Sequence, residues 1–289
     1  YYRRKIILAL FELFDGKLTA KTFQKLLFLF TRNQDVKAFD FIPYKYGCFS
    51  FQANQDLMTL EKYGYLQIEE KDNSRHISLI KTDNYLDMLN MFDRAFIENV
   101  KKEFGKMSQN DLIKYTYVNY PFYSINSSIA KDILNNEELE KVNQQRRHKS
   151  SYELFTIGYE GISLEKYIDL LIIRDVKVLC DVRKNAFSQK YGFSKSQLER
   201  ACEGVNIKYI HVPQLGIDSD KRQELNCQAD YDKLFKLYES TTLIQNRDYL
   251  LMVRKLIDKY QRVALTCFEK NPLQCHRSYM AKELMKLEN

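Results

Sequence analysis

Six side chains with acid–base, nucleophilic or hydrogen-bonding chemistry lie at or just after apolar segments in the second half of the chain. They are Tyr159, Asp181, Arg183, His211, Cys267 and Glu269. The apolar segments 154–157, 176–180, 207–210 and 263–267 alternate with amphipathic segments, a pattern typical of parallel strands covered by helices on both faces. Because ligands bind beyond the carboxyl ends of such strands, the sequence predicts one site at a single edge of the sheet.

The chemistry predicted for this edge includes anion binding. The last predicted helix opens at residues 275–277, where free backbone N–H groups and the helix dipole favour an anion. Arg277 and Arg183 could each bind a phosphate or carboxylate through two hydrogen bonds, and Lys195 begins another helix. The predicted substrate or anion contacts are Tyr159, Arg183, Ser188, Lys195, His211 and Arg277. In the alternative interpretation, one arginine pairs internally with a neighbouring carboxylate.

Four residues are candidates for catalysis, namely Asp181, Glu269, Cys275 and His276. The two carboxylates could form a general acid–base pair, or one could activate water while the other holds an arginine. A cysteine at a helix N-terminus beside His276 and an arginine is where the pKa of a thiol is lowered, so Cys275 could be a nucleophile. Most buried cysteines are inert, however, and a structural role for Cys275 stays open.

Cys267, Cys275 and His276 are also potential metal ligands. Their spacing matches no known zinc pattern, and a fourth ligand such as His211 would have to come from elsewhere. We therefore expect no metal and no cofactor.

The first half of the chain predicts a winged helix-turn-helix. Helical segments at 2–14, 21–30 and 51–63 are followed by two alternating segments, 65–69 and 76–80, around a polar turn. The third helix and the hairpin would then contact bases and phosphates of nucleic acid. The candidate contacts are Gln52, Asn54, Gln55, Lys62, Lys71 and Arg75. Winged helices also serve as protein-docking modules, and the acidic pair at 69–70 weakens this wing as a phosphate binder.

Two resemblances accompany these patterns. The segments 23–28 (FQKLLF), 41–47 (FIPYKYG) and 60–66 (LEKYGYL) resemble winged-helix modules attached to prokaryotic defence and mobile-element proteins. Ordered blocks of the second half resemble the family called domain of unknown function 488. They are 156–161 (TIGYEG), 180–185 (CDVRKN), 191–195 (YGFSK), 209–216 (YIHVPQLG) and 267–277 (CFEKNPLQCHR). The family usually has Pro at the position of Ala186 and a basic residue at Gln189. The second resemblance implies the fold and the site; it does not imply the reaction.

The predicted fold class is α/β. A mostly parallel, Rossmann-like sheet domain occupies 151–289 and is preceded by an α+β winged helix-turn-helix domain at 1–82. Residues 83–150 are expected to form a helical connector that ends in a basic linker, because the stretch 135–151 is polar and carries the basic run 146–149.

Composition narrows the class of partner. The 289 residues carry 45 Lys and Arg against 38 Asp and Glu, a net charge of +7, which is compatible with a polyanion partner but does not establish one. No stretch approaches the roughly 18–20 apolar residues that span a bilayer. The six cysteines are scattered, which is typical of a reducing cytoplasm.

These patterns favour a nucleic-acid-directed enzyme of the hydrolase or glycosylase type. The winged helix would dock nucleic acid, most simply double-stranded DNA, and the C-terminal domain would act on a base, sugar or phosphate. Cleavage of the N-glycosidic bond of a modified base, in prokaryotic antiviral defence, fits the resemblance and the residues. The alternatives are a DNA-binding sensor or regulator with a nucleotide-like ligand, and a small-molecule enzyme with a docking module. An oligomer is compatible with all three.

Overall fold

The computed structural model describes residues 1–72, 74–148, 150–222 and 225–287. The chain divides into two compact units, unit 1 at Tyr1–Arg146 and unit 2 at Arg147–Asn289. Among the described residues, no helix has both the length and the apolar character needed to cross a bilayer.

Unit 1 is a mixture of helices and short antiparallel strands. Its helices are α1 (Tyr2–Leu13), α2 (Ala20–Arg32), α3 (Phe51–Lys62), α4 (Met91–Phe104), α5 (Gln109–Asn119), α6 (Ala130–Ile133) and α7 (Asn136–Gln144). Its strands are β1 (Lys17–Thr19), β2 (Ile42–Tyr44), β3 (Gly47–Phe49), β4 (Leu66–Lys71) and β5 (Ser74–Leu79). Strand β5 lies between β1 and β4 in one antiparallel sheet, and β2 and β3 form a separate hairpin.

Two side-chain caps fix the starts of the helices that precede the β4–β5 hairpin. The hydroxyl of Thr19 accepts a hydrogen bond from the backbone N–H of Thr22, and Ser50 accepts one from Ala53. Both caps follow from the sequence, since Ser and Thr satisfy N–H groups that have no partner within the helix.

The segment expected to be a connector packs into the core of unit 1. Ile97, Val100 and Phe104 of α4 belong to the same buried cluster as Phe23 of α2. Helix α7 forms where a polar linker was predicted, because the side chain of Asn135 and the side chain of the third helical residue close a capping box. Of the basic run 146–149, Lys149 lies outside the described residues.

Unit 2 contains a four-stranded sheet in which every pair is parallel, so the mostly parallel sheet predicted for this region is confirmed. The strands are β6 (Glu153–Gly158), β7 (Val178–Asp181), β8 (Lys208–His211) and β9 (Arg262–Cys267), in the order β6-β9-β7-β8. The helices are α8 (Leu164–Ile173), α9 (Lys195–Glu203), α10 (Gln228–Tyr238), α11 (Arg247–Tyr260) and α12 (His276–Lys286).

The register of the sheet brings its chemically active residues to one edge. Asp181 is level with His211 on one side and with Thr266 on the other, and Gly158 is level with Cys267. All residues of the two central strands, β7 and β9, are buried, which explains their nearly continuous apolar sequences. The carboxyl ends of the four strands therefore lie at one edge of the sheet, where the sequence predicts the site.

Gly158 allows the end of β6 to approach the loop that follows β9. A Cβ atom at this position would overlap the backbone carbonyl of Glu269. We expect Gly158→Ala to lower the free energy of unfolding of unit 2 by about 3 kcal/mol or more, because the obstacle is backbone that cannot rotate away.

The measurement is denaturant or thermal unfolding of the full chain. Ser196→Ala, at an exposed position of α9, is the matched control and should change the unfolding free energy by no more than about 0.5 kcal/mol. A Gly158→Ala shift as small as that of the control would contradict the close approach.

Candidate active site

A buried ion pair between Asp181 and Arg183 lies at the end of β7. Both residues are almost fully buried, at 0% and 5% exposure. The Nε of Arg183 donates to Oδ1 of Asp181 at 2.8 Å, and Nη2 donates to Oδ2 at 2.5 Å. Burial alone would lower the pKa of Arg183, but the carboxylate outweighs it and raises that pKa. The guanidinium is therefore charged and hydrogen-bonded to Asp181.

Neighbouring strands and loops complete the hydrogen bonding of this pair. The Nη1 of Arg183 donates to the hydroxyl of Tyr159 and to the carbonyl of Phe193, each at 2.8 Å. The hydroxyl of Tyr209 donates to Oδ2 of Asp181 at 2.6 Å. The rings of Tyr159 and Phe193 stack with their centroids 4.2 Å apart. The pair thus fastens β6, β7, β8 and the loop 182–194 to one another.

The hydrogen bonds of Asp181 are made within the protein. Oδ1 accepts from the backbone N–H and from the Nε–H of Arg183. Oδ2 accepts from Nη2 of Arg183 and from the hydroxyl of Tyr209. These contacts favour the interpretation in which an arginine pairs internally with a neighbouring carboxylate, while the catalytic role of Asp181 stays a prediction.

Internal acceptors take up part of the predicted anion cradle. Arg277 is buried, and its Nη1 donates to the carbonyl of Glu269 at 2.6 Å, whereas its buried Nε makes no hydrogen bond within the described residues. His211 bonds the carbonyl of Arg183 through Nε2 at 2.9 Å. Lys195 is exposed at the first position of α9. Arg183 is therefore committed to internal acceptors and Arg277 only in part, and anion binding by Arg277 and Lys195 stays a prediction.

A cavity of about 300 Å³ opens at this edge of the sheet. Its wall combines aromatic rings, amides, a hydroxyl, cations and a thiol. Among the residues that line it are Asn185, Phe187, Ser188, Arg222, Cys267 and Phe268. Phe187 and Phe268 are 72% and 45% exposed, which is unusual for phenylalanine. Of the predicted contacts, Tyr159, Arg183 and Ser188 also line this cavity.

Cys267, Cys275 and His276 meet beside the cavity. Their ligand atoms lie within 4.8 Å of one another, and all three residues are buried. The Nδ1 of His276 is 4.0 Å from Sγ of Cys267 and 3.9 Å from Sγ of Cys275. The end of β9 supplies the first thiol, and the start of α12 supplies the second thiol and the imidazole.

The hydrogen bonds of His276 define its tautomer. Nε2 faces the carbonyl of Val182 at 3.1 Å, so this nitrogen carries the proton. Nδ1 faces the Nη2 donor of Arg222 at 2.9 Å, so it presents a lone pair. In this tautomer Nδ1 faces Arg222 and the two thiols.

The two thiols differ in acidity. A hydrogen bond from Cys275 lowers the pKa of Cys267 well below the usual value, against the effect of burial. Burial and the neighbouring Cys267 raise the pKa of Cys275. Of the two thiols, Cys267 is the one that lines the cavity, and the nucleophilic role of Cys275 stays a prediction.

Glu269 lies next to this cluster and forms an ion pair with Arg222 through Oε1. Its Oε2 is buried and makes no hydrogen bond within the described part of the chain. Burial raises the pKa of Glu269, Cys267 raises it further, and Arg222 partly opposes them. Glu269 thus keeps an unpaired oxygen and a proton affinity above that of an ordinary carboxylate.

Sequence reasoning missed Arg222, Phe187 and Phe268. Arg222 ends a short 3-10 turn, Ser219–Arg222, and no strand or motif marks it. Phe268 lies in the block 267–277, between the candidates Cys267 and Glu269. Its place between them is the feature of the sequence that could have identified it.

The residues predicted to bind nucleic acid lie on α3, β4 and β5 of unit 1. Lys62 and Lys71 are exposed, whereas Gln52, Asn54 and Gln55 are half-buried. Arg75 donates to Oδ1 of Asn54 at 3.2 Å, and both residues line a second cavity, of about 440 Å³.

One family model matches a range that lies inside unit 2. The family model for the Domain of unknown function DUF488 matches residues 163–284. Unit 2 carries a DUF488 domain. This confirms the resemblance drawn from the C-terminal blocks, and the matched range contains Asp181, Arg183 and the cluster of Cys267, Cys275 and His276. No curated protein matches the chain.

The buried pair of the DUF488 domain should dominate its stability. We expect Asp181→Asn to cost about 3–5 kcal/mol of unfolding free energy, because it leaves a buried guanidinium without its anion. Tyr209→Phe removes one hydrogen bond and should cost about 1 kcal/mol. The double variant Asp181→Leu with Arg183→Met should cost less than the sum of its single variants.

Chemical denaturation of the full chain measures these differences. Glu283→Gln, which removes an exposed ion pair with Lys286, is the control and should leave stability nearly unchanged. If Asp181→Asn behaves like this control, Asp181 is not the structural anchor described above.

Proposed function

We propose that this protein is an enzyme that acts on a nucleobase or nucleotide of a nucleic acid. Unit 2 would carry out the reaction, and unit 1 would dock the nucleic acid. The observation that carries the proposal is the cavity lined by exposed aromatic rings beside Glu269 and Cys267.

The wall of this cavity matches the chemistry of a base. Phe187 and Phe268 offer flat apolar faces, and stacking of a base on an aromatic ring contributes about 1–3 kcal/mol. The amide of Asn185 and the hydroxyl of Ser188 can donate to or accept from the polar edge of a base. A free base needs no strong anion site, which agrees with the internal commitment of Arg183.

Glu269 is the best candidate for the proton transfer. In hydrolysis of an N-glycosidic bond, a water oxygen bonds to C1′, the C1′–N bond breaks, and the base leaves with a proton supplied by an acid. The proton that the water loses then restores that acid. The raised pKa of Glu269 favours the protonated carboxyl that can supply this proton. Because a proton donor must be protonated, activity should fall as the pH rises through that pKa.

Features of unit 1 support the docking role. The order helix, strand, helix, hairpin, helix, hairpin, with β5 between β1 and β4, favours the winged-helix interpretation. Exposed Lys62 and Lys71 at the end of α3 and on β4 would contact phosphates. A base in double-stranded DNA would then leave the stack to reach the cavity of unit 2.

Turnover tests the enzymatic part of the proposal. The full-length protein is incubated with plain and modified DNA and RNA duplexes, and released bases and strand breaks are quantified. Wild type should release a base from at least one substrate, and Glu269→Gln should lower the rate by about 100-fold or more. Duplex binding should survive this substitution, since Glu269 belongs to unit 2 and carries no phosphate contact.

Cys227→Ser, at an exposed cysteine of unit 2, is the control and should keep wild-type turnover. Binding that responds to a nucleotide without any released product would favour the sensor interpretation instead. No binding and no product with any nucleic acid would overturn both.

Salt dependence tests the docking surface. The affinity for duplex DNA should fall steeply with salt, and Lys62→Ala and Lys71→Ala should each reduce the slope of log K against log salt by about one. Lys102→Ala, at an exposed position of α4, is the control and should leave the slope unchanged. Equal slopes in all three variants would place the nucleic acid elsewhere.

A further inference from the structure

The cluster of Cys267, Cys275 and His276 has the composition of a metal site. Two sulfur atoms and one imidazole nitrogen are the donors that zinc-class divalent ions prefer in proteins. The three donor atoms come from the end of β9 and the start of α12, two elements fixed by the parallel sheet. Spacing along the chain did not predict a metal, because the match is spatial.

The distances fit a tetrahedral ion. Bonds of about 2.3 Å to sulfur and about 2.0–2.1 Å to nitrogen place ligand sulfur and nitrogen about 3.5 Å apart. The separations from Sγ to Nδ1 of His276 are 4.0 Å for Cys267 and 3.9 Å for Cys275. A contraction of a few tenths of an ångström would bring each thiol to the sulfur–nitrogen separation of a shared ion, and the two sulfur atoms lie within 4.8 Å of each other.

His276 is already oriented as a metal ligand. Its Nε2–H donates to the carbonyl of Val182, which holds the ring and leaves the Nδ1 lone pair pointing into the cluster. Metal-binding histidines usually have their second nitrogen fixed in this way.

A cationic group already lies against these donors. The Nη2 of Arg222 is 2.9 Å from Nδ1 of His276, and its Nη1 pairs with Glu269. The guanidinium therefore takes up the lone pair that a metal ion would use. Its side chain is 25% exposed and lines the cavity, so it has room to withdraw.

We propose that Cys267, Cys275 and His276 bind one zinc-class divalent ion, which replaces the guanidinium of Arg222. Three protein donors leave the fourth tetrahedral position to water, as in catalytic zinc sites. Glu269 lies beside the cluster, and its buried Oε2 makes no hydrogen bond within the described residues. The site stands on these contacts and does not depend on the proposed nucleic-acid substrate.

Cobalt is the spectroscopic probe. The full-length reduced protein is titrated with Co²⁺ and then with Zn²⁺. Wild type should develop a thiolate-to-cobalt charge-transfer band and the visible bands of tetrahedral Co²⁺, and about one equivalent of Zn²⁺ should abolish them. Cys267→Ser should lose the charge-transfer intensity in part, and Cys227→Ser should retain all of it.

Arg222→Met keeps all three proposed metal ligands. Because Arg222 is partly exposed, we expect this variant to keep the fold as well. Removal of its charge should tighten binding of Co²⁺ by at least about tenfold. Bands that appear only in Arg222→Met would show that the arginine is the resident cation of the native protein and would overturn the proposal. Absence of bands in both proteins, or bands unaffected by Cys267→Ser, would overturn it as well. Base release by metal-free protein would show that the proposed reaction does not require the metal ion.

Discussion

The buried pair of Asp181 and Arg183 sets the conditions for the rest of unit 2. A charge removed from water costs several kcal/mol unless hydrogen bonds and an opposite charge replace the solvent. Tyr209 serves the carboxylate, and Tyr159 and the carbonyl of Phe193 serve the guanidinium. Satisfying one pair therefore fixes the ends of β6, β7 and β8 and the loop 182–194. The cavity forms against this rigid frame.

The same commitment decides which groups are left for chemistry. Arg183 has internal acceptors, so the proposed proton transfer falls to the loop after β9 and not to the end of β7. There, Cys267 has a lowered pKa, and Glu269 keeps an unpaired oxygen. A residue that looks reactive in sequence can thus be held in an internal ion pair, while the proposed chemistry belongs to the end of the adjacent strand β9 and the loop after it.

The parallel sheet and the edge at which its polar residues gather could be predicted from the sequence, because alternating apolar strands and amphipathic helices have few solutions. The DUF488 match likewise followed from ordered blocks. The sequence does not distinguish an internal ion pair from an open anion site, since both need the residue types found at Asp181 and Arg183. The position of Arg222 could not be predicted from the sequence either, because Arg222 lies on a 3-10 turn that is distant along the chain from Cys267 and Glu269. Helix α7 was missed because its capping box lies in a polar stretch.

A crystal structure of the full chain soaked with a nucleoside monophosphate would show directly what the cavity binds. We expect density for the base in the cavity, stacked on Phe187 or Phe268, with Arg183 still bound to Asp181. Density for the phosphate on Arg183 or Arg277, with the buried ion pair broken, would contradict this expectation.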